Sequence, residues 1–141
     1  MTHNRSVPAN TALAHVVYDD PGAAAAWLGN AFGFEEHYRY GDAPDGVMMR
    51  FGEAWIMLAR SRAGRGSPNR LGGWTQMLTL FTDDVEAHFA RSQAAGVVAF
   101  EQPHETGYGE YQYGAIDLEG HRWLFSRHAR DVDPHEWGAV G

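Results

Sequence analysis

The hydrophobic pattern near the start of the chain predicts a strand followed by a helix. Residues 13–18 form a mostly apolar run that is typical of a strand. Asp20 and Pro21 then suit the cap and the first position of a helix, and Gly33 suits its end. The apolar positions that recur between them at helical spacing are Ala24, Trp27, Leu28 and Ala31.

Three short strands and a loop are predicted after this helix. The strands cover residues 36–40, 47–51 and 55–59, and turns that contain glycine separate them, so we expect a meander. Residues 60–73 have no apolar period and contain four glycines, one proline and four arginines. This composition predicts an exposed, mobile loop.

The same order of elements returns after the loop. Residues 75–81 predict a strand. Asp83 and Glu86 predict a capping box at the start of a helix, and Gly96 suits the end of that helix. The apolar stripe of the helix consists of Val85, Phe89 and Ala90. The chain is therefore predicted to contain two β-α-β-β-β modules that repeat one pattern.

A β-hairpin is predicted near the end of the second module. Two apolar runs flank residues 117–120, where Asp117 favours a turn and Gly120 can adopt a positive φ. Residues 122–125, with the sequence Arg-Trp-Leu-Phe, are bulky at every position. This pattern indicates a strand that is buried on both faces.

These elements predict one α+β domain made of two tandem modules. The segment after the second module contains Trp137, which we expect to dock on the sheet or on a partner chain. The expected divisions are a flexible tail (1–10), the first module (11–59), a mobile loop (60–73), the second module (74–128) and a C-terminal segment (129–141).

Composition narrows the functions that are open to the chain. A formal net charge of −7 argues against a nucleic-acid partner, and the absence of cysteine excludes disulfides and thiolate metal sites. All eleven basic residues are arginine, which excludes Schiff-base chemistry on lysine. No apolar run approaches the length of a membrane span or of a secretory signal, so we expect a cytoplasmic protein without a membrane partner.

Four motifs spread over residues 11–128 carry a resemblance to a known family. They are Tyr18-Asp-Asp-Pro21, Trp27-Leu-Gly-Asn-Ala-Phe-Gly-Phe34, Asp83-Asp-Val-Glu-Ala-His88 and Asp117-Leu-Glu-Gly-His-Arg-Trp123. In this order they resemble the glyoxalase/bleomycin resistance/dioxygenase family, also called the vicinal oxygen chelate superfamily. The resemblance implies that the two modules form a curled, cup-shaped mixed sheet around a ligand or a metal, often in a homodimer.

The resemblance also implies four positions for metal ligands, and this chain has apolar residues at all of them. Enzymes of the family hold a divalent metal there with His, Gln or Glu side chains. The corresponding residues here are Leu13, Met57, Met77 and Leu124, and none of these binds such a cation. A shift of one residue adds only the amide of Gln76. We therefore expect neither a metal nor another cofactor.

Strand alternation from those positions predicts which residues line the cup. Trp55 and Phe81 can flank a flat ring, while His15 and Gln112 can orient it through hydrogen bonds. For any one of these residues, an ordinary place in the core is the alternative interpretation. The full set that we expect to bind a ligand is His15, Val17, Trp55, Met57, Met77, Thr79, Phe81, Gln112, Arg122 and Leu124.

Three functions remain open at this point. The favoured one is metal-free binding and sequestration of a hydrophobic aromatic small molecule, such as an antibiotic or another natural product, as in resistance members of the family. The second is a metal-independent isomerase or lyase with His15 as general base, although Ser126 is assigned to the opposite strand face and no nucleophile partner is evident. The third is a metal-dependent glyoxalase or dioxygenase. The histidines expected to face solvent are His3, His121, His128 and His135.

Overall fold

The computed structural model describes residues 2–141 and divides them into two compact units. The first unit runs to Trp74 and includes Leu118–Gly120, and the second consists of Thr75–Asp117 and His121–Gly141. Each unit contains a four-stranded mixed sheet and the predicted helix. The prediction of an α+β fold with two β-α-β-β-β modules is confirmed. None of the helices in the described residues is long and apolar enough to cross a membrane.

The first unit follows the predicted order of elements. These are β1 (Ala14–Tyr18), α1 (Pro21–Phe32), β2 (Glu35–Tyr40), β3 (Gly46–Phe51) and β4 (Ala54–Arg60). The strand order in the sheet is β1-β4-β3-β2, with β1 parallel to β4 and the other neighbours antiparallel. The Asp20 side chain accepts a hydrogen bond from Ala23 N at 3.0 Å, and Gly33 ends α1 with a φ of 82°, as predicted.

A short helix lies within the segment that is predicted to be a loop. This helix, α2 (Pro68–Leu71), follows Ser67, and both Ser67 and Pro68 are buried. Its four residues are too few to produce a periodic apolar pattern, which is why the sequence did not indicate it. The mobility of residues 60–73 stays a prediction.

The second unit repeats the arrangement of the first. Its elements are β5 (Met77–Phe81), α3 (Val85–Ala94), β6 (Val98–Glu105), β7 (Glu110–Ile116), β8 (Arg122–His128) and a 3₁₀ helix (Pro134–Trp137). The strand order is β5-β8-β7-β6. Asp84 caps α3 by accepting a hydrogen bond from Ala87 N at 2.9 Å, so the prediction that Asp83 is the cap is wrong by one residue.

The hairpin between β7 and β8 forms as predicted, and Asp117 holds it together. Oδ1 of Asp117 accepts a hydrogen bond from His121 N, and Oδ2 accepts one from Nε1 of Trp123, both at 3.0 Å. Gly120 adopts a φ of 93°, which a residue with a side chain rarely does. His121 is buried, so the expectation that it faces solvent is wrong.

The core of the second unit contains a buried histidine and a buried tyrosine between α3 and the sheet. Nδ1 of His88 lies 2.6 Å from the Tyr113 hydroxyl. The centroids of the His88 and Phe125 rings are 4.0 Å apart. Burial raises the pKa of Tyr113 to about 12. The phenol of Tyr113 therefore stays protonated in the folded chain at a pH where an exposed phenol ionises.

We expect the stability of the chain to fall in alkaline solution because of Tyr113. Above a pH of about 10, the unfolded chain loses the phenolic proton while the folded chain keeps it, so ionisation favours unfolding until the pH reaches about 12. The free energy of unfolding should fall by about 2 kcal/mol over this range. Urea denaturation at increasing pH measures the fall.

Two phenylalanine variants separate this effect from general alkaline denaturation. Tyr113→Phe should flatten the alkaline slope, whereas Tyr40→Phe, which alters a half-exposed ring, should keep the slope of the parent chain. Equal slopes in the parent chain and in Tyr113→Phe would contradict the assignment to Tyr113.

Candidate ligand-binding cavity

A cavity of about 820 Å³ lies within the second unit, between one face of the sheet and the C-terminal segment. Its volume suits a drug-sized small molecule. Tyr108, in the turn before β7, lines the cavity. The sheet contributes Thr79, Phe81, Glu110, Gln112, Leu124 and His128. The C-terminal segment contributes Ala129, Arg130, Asp131, Val132, Pro134 and Trp137.

Strand register explains why the sheet residues face the cavity together. Gln112 is paired with Ser126 across the antiparallel strands β7 and β8, and Leu124 is paired with Thr79 across the parallel strands β8 and β5. Paired residues of neighbouring strands point to the same face of a sheet, and this face is opposite to the one that packs against α3. The assignment of Ser126 to the other face is therefore wrong, since Ser126 lies two positions after Leu124.

A buried amide, that of Gln112, is fixed at the floor of the cavity. Nε2 of Gln112 donates hydrogen bonds to Oε1 of Glu101 at 3.1 Å and to the Tyr108 hydroxyl at 3.3 Å. The Ser126 hydroxyl donates to Oε1 of Gln112 at 3.5 Å. These contacts use both N–H donors and hold the amide in one orientation, so Oε1 of Gln112, which accepts one bond from Ser126, can offer a ligand an acceptor at a defined place.

A carboxylate and an imidazole lie together on the same side of the cavity. Nδ1 of His128 is 2.8 Å from Oε2 of Glu110, and the Phe81 ring lies 5.2 Å from the His128 ring. His128 is as exposed as expected from its position in the sequence, yet it lines the cavity. The sequence did not predict Glu110 or His128 as lining residues, because neither belongs to an apolar or catalytic motif.

The C-terminal segment is held against the turn that precedes β7. The Ala129 and Arg130 amides donate hydrogen bonds to Gly109 O at 2.8 and 3.1 Å. Gly109 has a φ of 93°, and a Cβ at this position would overlap Arg130 O. The ring of Trp137 lies 6.0 Å from that of Tyr108 in an edge-to-face contact. Trp137 therefore contacts a turn of its own unit and forms one wall of the cavity.

Four of the ten residues that the sequence predicts for ligand binding line this cavity. They are Thr79, Phe81, Gln112 and Leu124. Met77 and Arg122 are paired with each other on the sheet of the second unit, but they do not line the cavity. His15, Val17, Trp55 and Met57 belong to the first unit, where His15 is paired with Met57. A role of these six residues in binding stays a prediction.

The positions at which the resemblance implies metal ligands do not fit a divalent cation. Their side chains, those of Leu13, Met57, Met77 and Leu124, carry no oxygen or nitrogen donor. Within residues 2–141, no group of three or more His, Asp or Glu side chains is arranged to hold a metal ion.

Several solved structures are similar to this chain in fold. TioX from Micromonospora sp. ML1 is 29% identical with a TM-score of 0.72, and the match covers 85% of this chain and 99% of TioX. A glyoxalase/bleomycin resistance protein/dioxygenase family enzyme from Burkholderia phytofirmans PsJN is 21% identical, with a TM-score of 0.65 over 84% of this chain and 98% of its own. A glyoxalase/bleomycin resistance protein from Streptomyces sp. CB03234 is 23% identical, with a TM-score of 0.64 over 82% and 97%.

The sequence matches a family model, although no individual curated protein matches it significantly. This model matches residues 11–125, which include every strand and helix of the first unit and nearly all of the second-unit sheet. The chain belongs to the Glyoxalase/Bleomycin resistance protein/Dioxygenase superfamily.

Proposed function

We propose that the chain binds a flat, hydrophobic aromatic molecule in the cavity of the second unit and releases it unchanged. The observation that carries this proposal is the combination of a drug-sized cavity with the rings of Phe81, Tyr108 and Trp137 in its lining. Aromatic side chains supply large apolar contact areas and stack on flat ligands. A resistance or self-protection role follows if the ligand is an antibiotic or another natural product.

The polar groups of the cavity support binding with a defined orientation. The buried amide of Gln112 is held by Glu101 and Tyr108, so its Oε1 can accept a hydrogen bond from a ligand without any reorganisation of the protein. Thr79 adds a hydroxyl on the neighbouring strand. A few fixed polar groups among apolar walls are typical of small-molecule sites.

We propose that binding needs no metal. The support is the side-chain chemistry at the four positions that correspond to the family's metal ligands, which are two leucines and two methionines. A metal-dependent glyoxalase or dioxygenase would need oxygen or nitrogen donors there. Elemental analysis of the purified chain tests this part of the proposal, because stoichiometric zinc, nickel, iron or manganese would contradict it.

The assembly that we propose is a cytoplasmic homodimer. Met77 and Phe100 expose large parts of their apolar side chains in the second unit. The ring of Phe100 lies over Gly114, which faces the same side of the sheet as Leu124. Exposed apolar residues on one face support contact with a second copy, which light scattering of the purified protein tests.

A metal-independent enzyme is the second candidate, and one observation favours it. The Glu110 carboxylate can orient the imidazole of His128, which lines the cavity with a largely exposed side chain, and an oriented imidazole can act as a general base. His15, the base suggested by the sequence, lies in the first unit and does not line this cavity. Recovery of the ligand unchanged after incubation separates binding from turnover.

Replacing Phe81 with alanine is expected to weaken the binding of a flat aromatic probe such as acridine by about tenfold. The variant loses a stacking partner and its buried apolar area, which together are worth about 1.4 kcal/mol. Titration of the tryptophan fluorescence with acridine measures the affinity. The chain contains five tryptophans, and Trp137 lines the cavity.

Two alanine variants serve as controls for this experiment. Leu71→Ala removes an exposed apolar side chain of the first unit and should bind acridine as the parent chain does. His15→Ala should weaken binding less than Phe81→Ala does. Unchanged affinity in Phe81→Ala would contradict the placement of the aromatic ligand against Phe81.

A further inference from the structure

The C-terminal part of the cavity wall lies outside the region that this chain shares with its family. The family match ends at residue 125, whereas six of the thirteen lining residues lie between Ala129 and Trp137. We name residues 129–137 the recognition segment. The family model does not include this part of the wall. The recognition segment is therefore the part of the cavity that can distinguish the ligand of this chain from the ligands of other family members.

One carboxylate of the recognition segment has no partner. Within the described residues, the side chain of Asp131 makes neither a hydrogen bond nor an ion pair. The other lining carboxylate, Glu110, already accepts a hydrogen bond from Nδ1 of His128 at 2.8 Å. The cavity therefore offers a ligand one carboxylate that no other group of the protein engages.

The basic residue that precedes Asp131 in the sequence is engaged elsewhere. Arg130 precedes Asp131 and also lines the cavity, but its Nε donates to Oε1 of Glu105 at 2.6 Å. An anionic ligand would have to compete with Glu105 for this guanidinium. The net charge of the chain, −7, further favours the approach of a cation over that of an anion.

Two aromatic rings of the cavity can also receive a cation. Tyr108 and Trp137 meet edge to face, and each leaves about half of its surface exposed. The face of an aromatic ring attracts an ammonium group, and the tryptophan ring does so most strongly. Both rings line the same cavity as Asp131.

We propose that the recognition segment selects aromatic ligands that carry a protonated amine. The ammonium group contacts the carboxylate of Asp131 and the rings of Tyr108 and Trp137, while the flat part of the ligand lies against Phe81. This inference rests on the proposed function, since it assigns a chemical class to the ligand of the same cavity.

A pair of probes with the same ring system tests the selectivity. At neutral pH, 9-(aminomethyl)acridine carries a protonated amine outside its ring system and acridine is neutral, so their affinities for one protein differ mainly through the ammonium group. The parent chain should bind 9-(aminomethyl)acridine about fivefold more tightly than acridine, as expected for one partly exposed ion pair and a cation–π contact. In Asp131→Asn this preference should fall below about twofold, with the affinity for acridine unchanged.

The control variant is Glu53→Gln, which removes the same unit of charge far along the sequence. Glu53 is exposed in the turn between β3 and β4 and does not line the cavity. Glu53→Gln should keep the fivefold preference of the parent chain. Added sodium chloride should lower the preference of the parent chain, which tests the charge effect without any substitution.

The possible results separate this inference from the proposed function. Equal affinity of the parent chain for both probes, or an equal loss of preference in Asp131→Asn and Glu53→Gln, overturns the selectivity for amines and leaves the proposed function standing. Failure of both probes to bind overturns the proposed function, and the selectivity with it. A preference that only Asp131→Asn removes supports both.

Discussion

A chain that ends at His128 is expected to bind acridine about thirtyfold more weakly than the full chain. The truncation removes the six lining residues of the recognition segment, including the ring of Trp137. The lost apolar contacts and the lost aromatic contact are together worth about 2 kcal/mol, which corresponds to this factor. The fold should persist, because the 3₁₀ helix Pro134–Trp137 has no buried residue.

The control for this truncation is a chain that ends at Gly138. It lacks only residues 139–141, none of which lines the cavity, and should bind as the full chain does. Because the shorter chain loses Trp137 as a reporter, the titration should follow the fluorescence of acridine. Circular dichroism should show the same secondary structure in both chains. Full affinity in the chain that ends at His128 would place the aromatic site elsewhere, with Trp55 of the first unit as the next candidate.

The sequence predicted the fold because the local signals and the repeat agreed. The cap at Asp20, the helix end at Gly33 and the turn at Gly120 each depend on backbone geometry that few residue types satisfy. The cap of α3 was misplaced because two adjacent aspartates offer the same chemistry, and only the structure distinguishes Asp84 from Asp83.

Strand alternation predicted the residues on the floor of the cavity, but the sequence did not predict its walls. Phe81 follows from a period of two along its strand, counted from Met77, whereas Gln112 follows from the register that the family resemblance implies. Tyr108 and Trp137 lie in a turn and in a 3₁₀ helix, where no period relates a residue to a face. Their contact joins positions 29 residues apart along the sequence, and Gly109 permits it because the chain of Arg130 passes close by.

The sequence also missed what holds the hairpin between β7 and β8. Asp117 was recognised as a turn residue, but its second oxygen accepts a hydrogen bond from the buried indole of Trp123. Such a bond connects a turn to the core, and a pattern of apolar positions does not show which side-chain donors need a partner. Asp117 therefore fixes both the turn and the orientation of Trp123.

Replacing Asp117 with alanine is expected to lower the free energy of unfolding by about 2–5 kcal/mol. The variant takes away the acceptor that Asp117 provides to two buried donors, His121 N and Nε1 of Trp123. Asp117→Asn keeps one acceptor oxygen and should lose about half as much. Asp42→Ala removes an exposed carboxylate from another turn and should differ from the parent chain by less than about 0.5 kcal/mol in urea denaturation. If Asp117→Ala matched Asp42→Ala, water would have to satisfy the indole of Trp123, and the hairpin would owe its stability to the apolar strands alone.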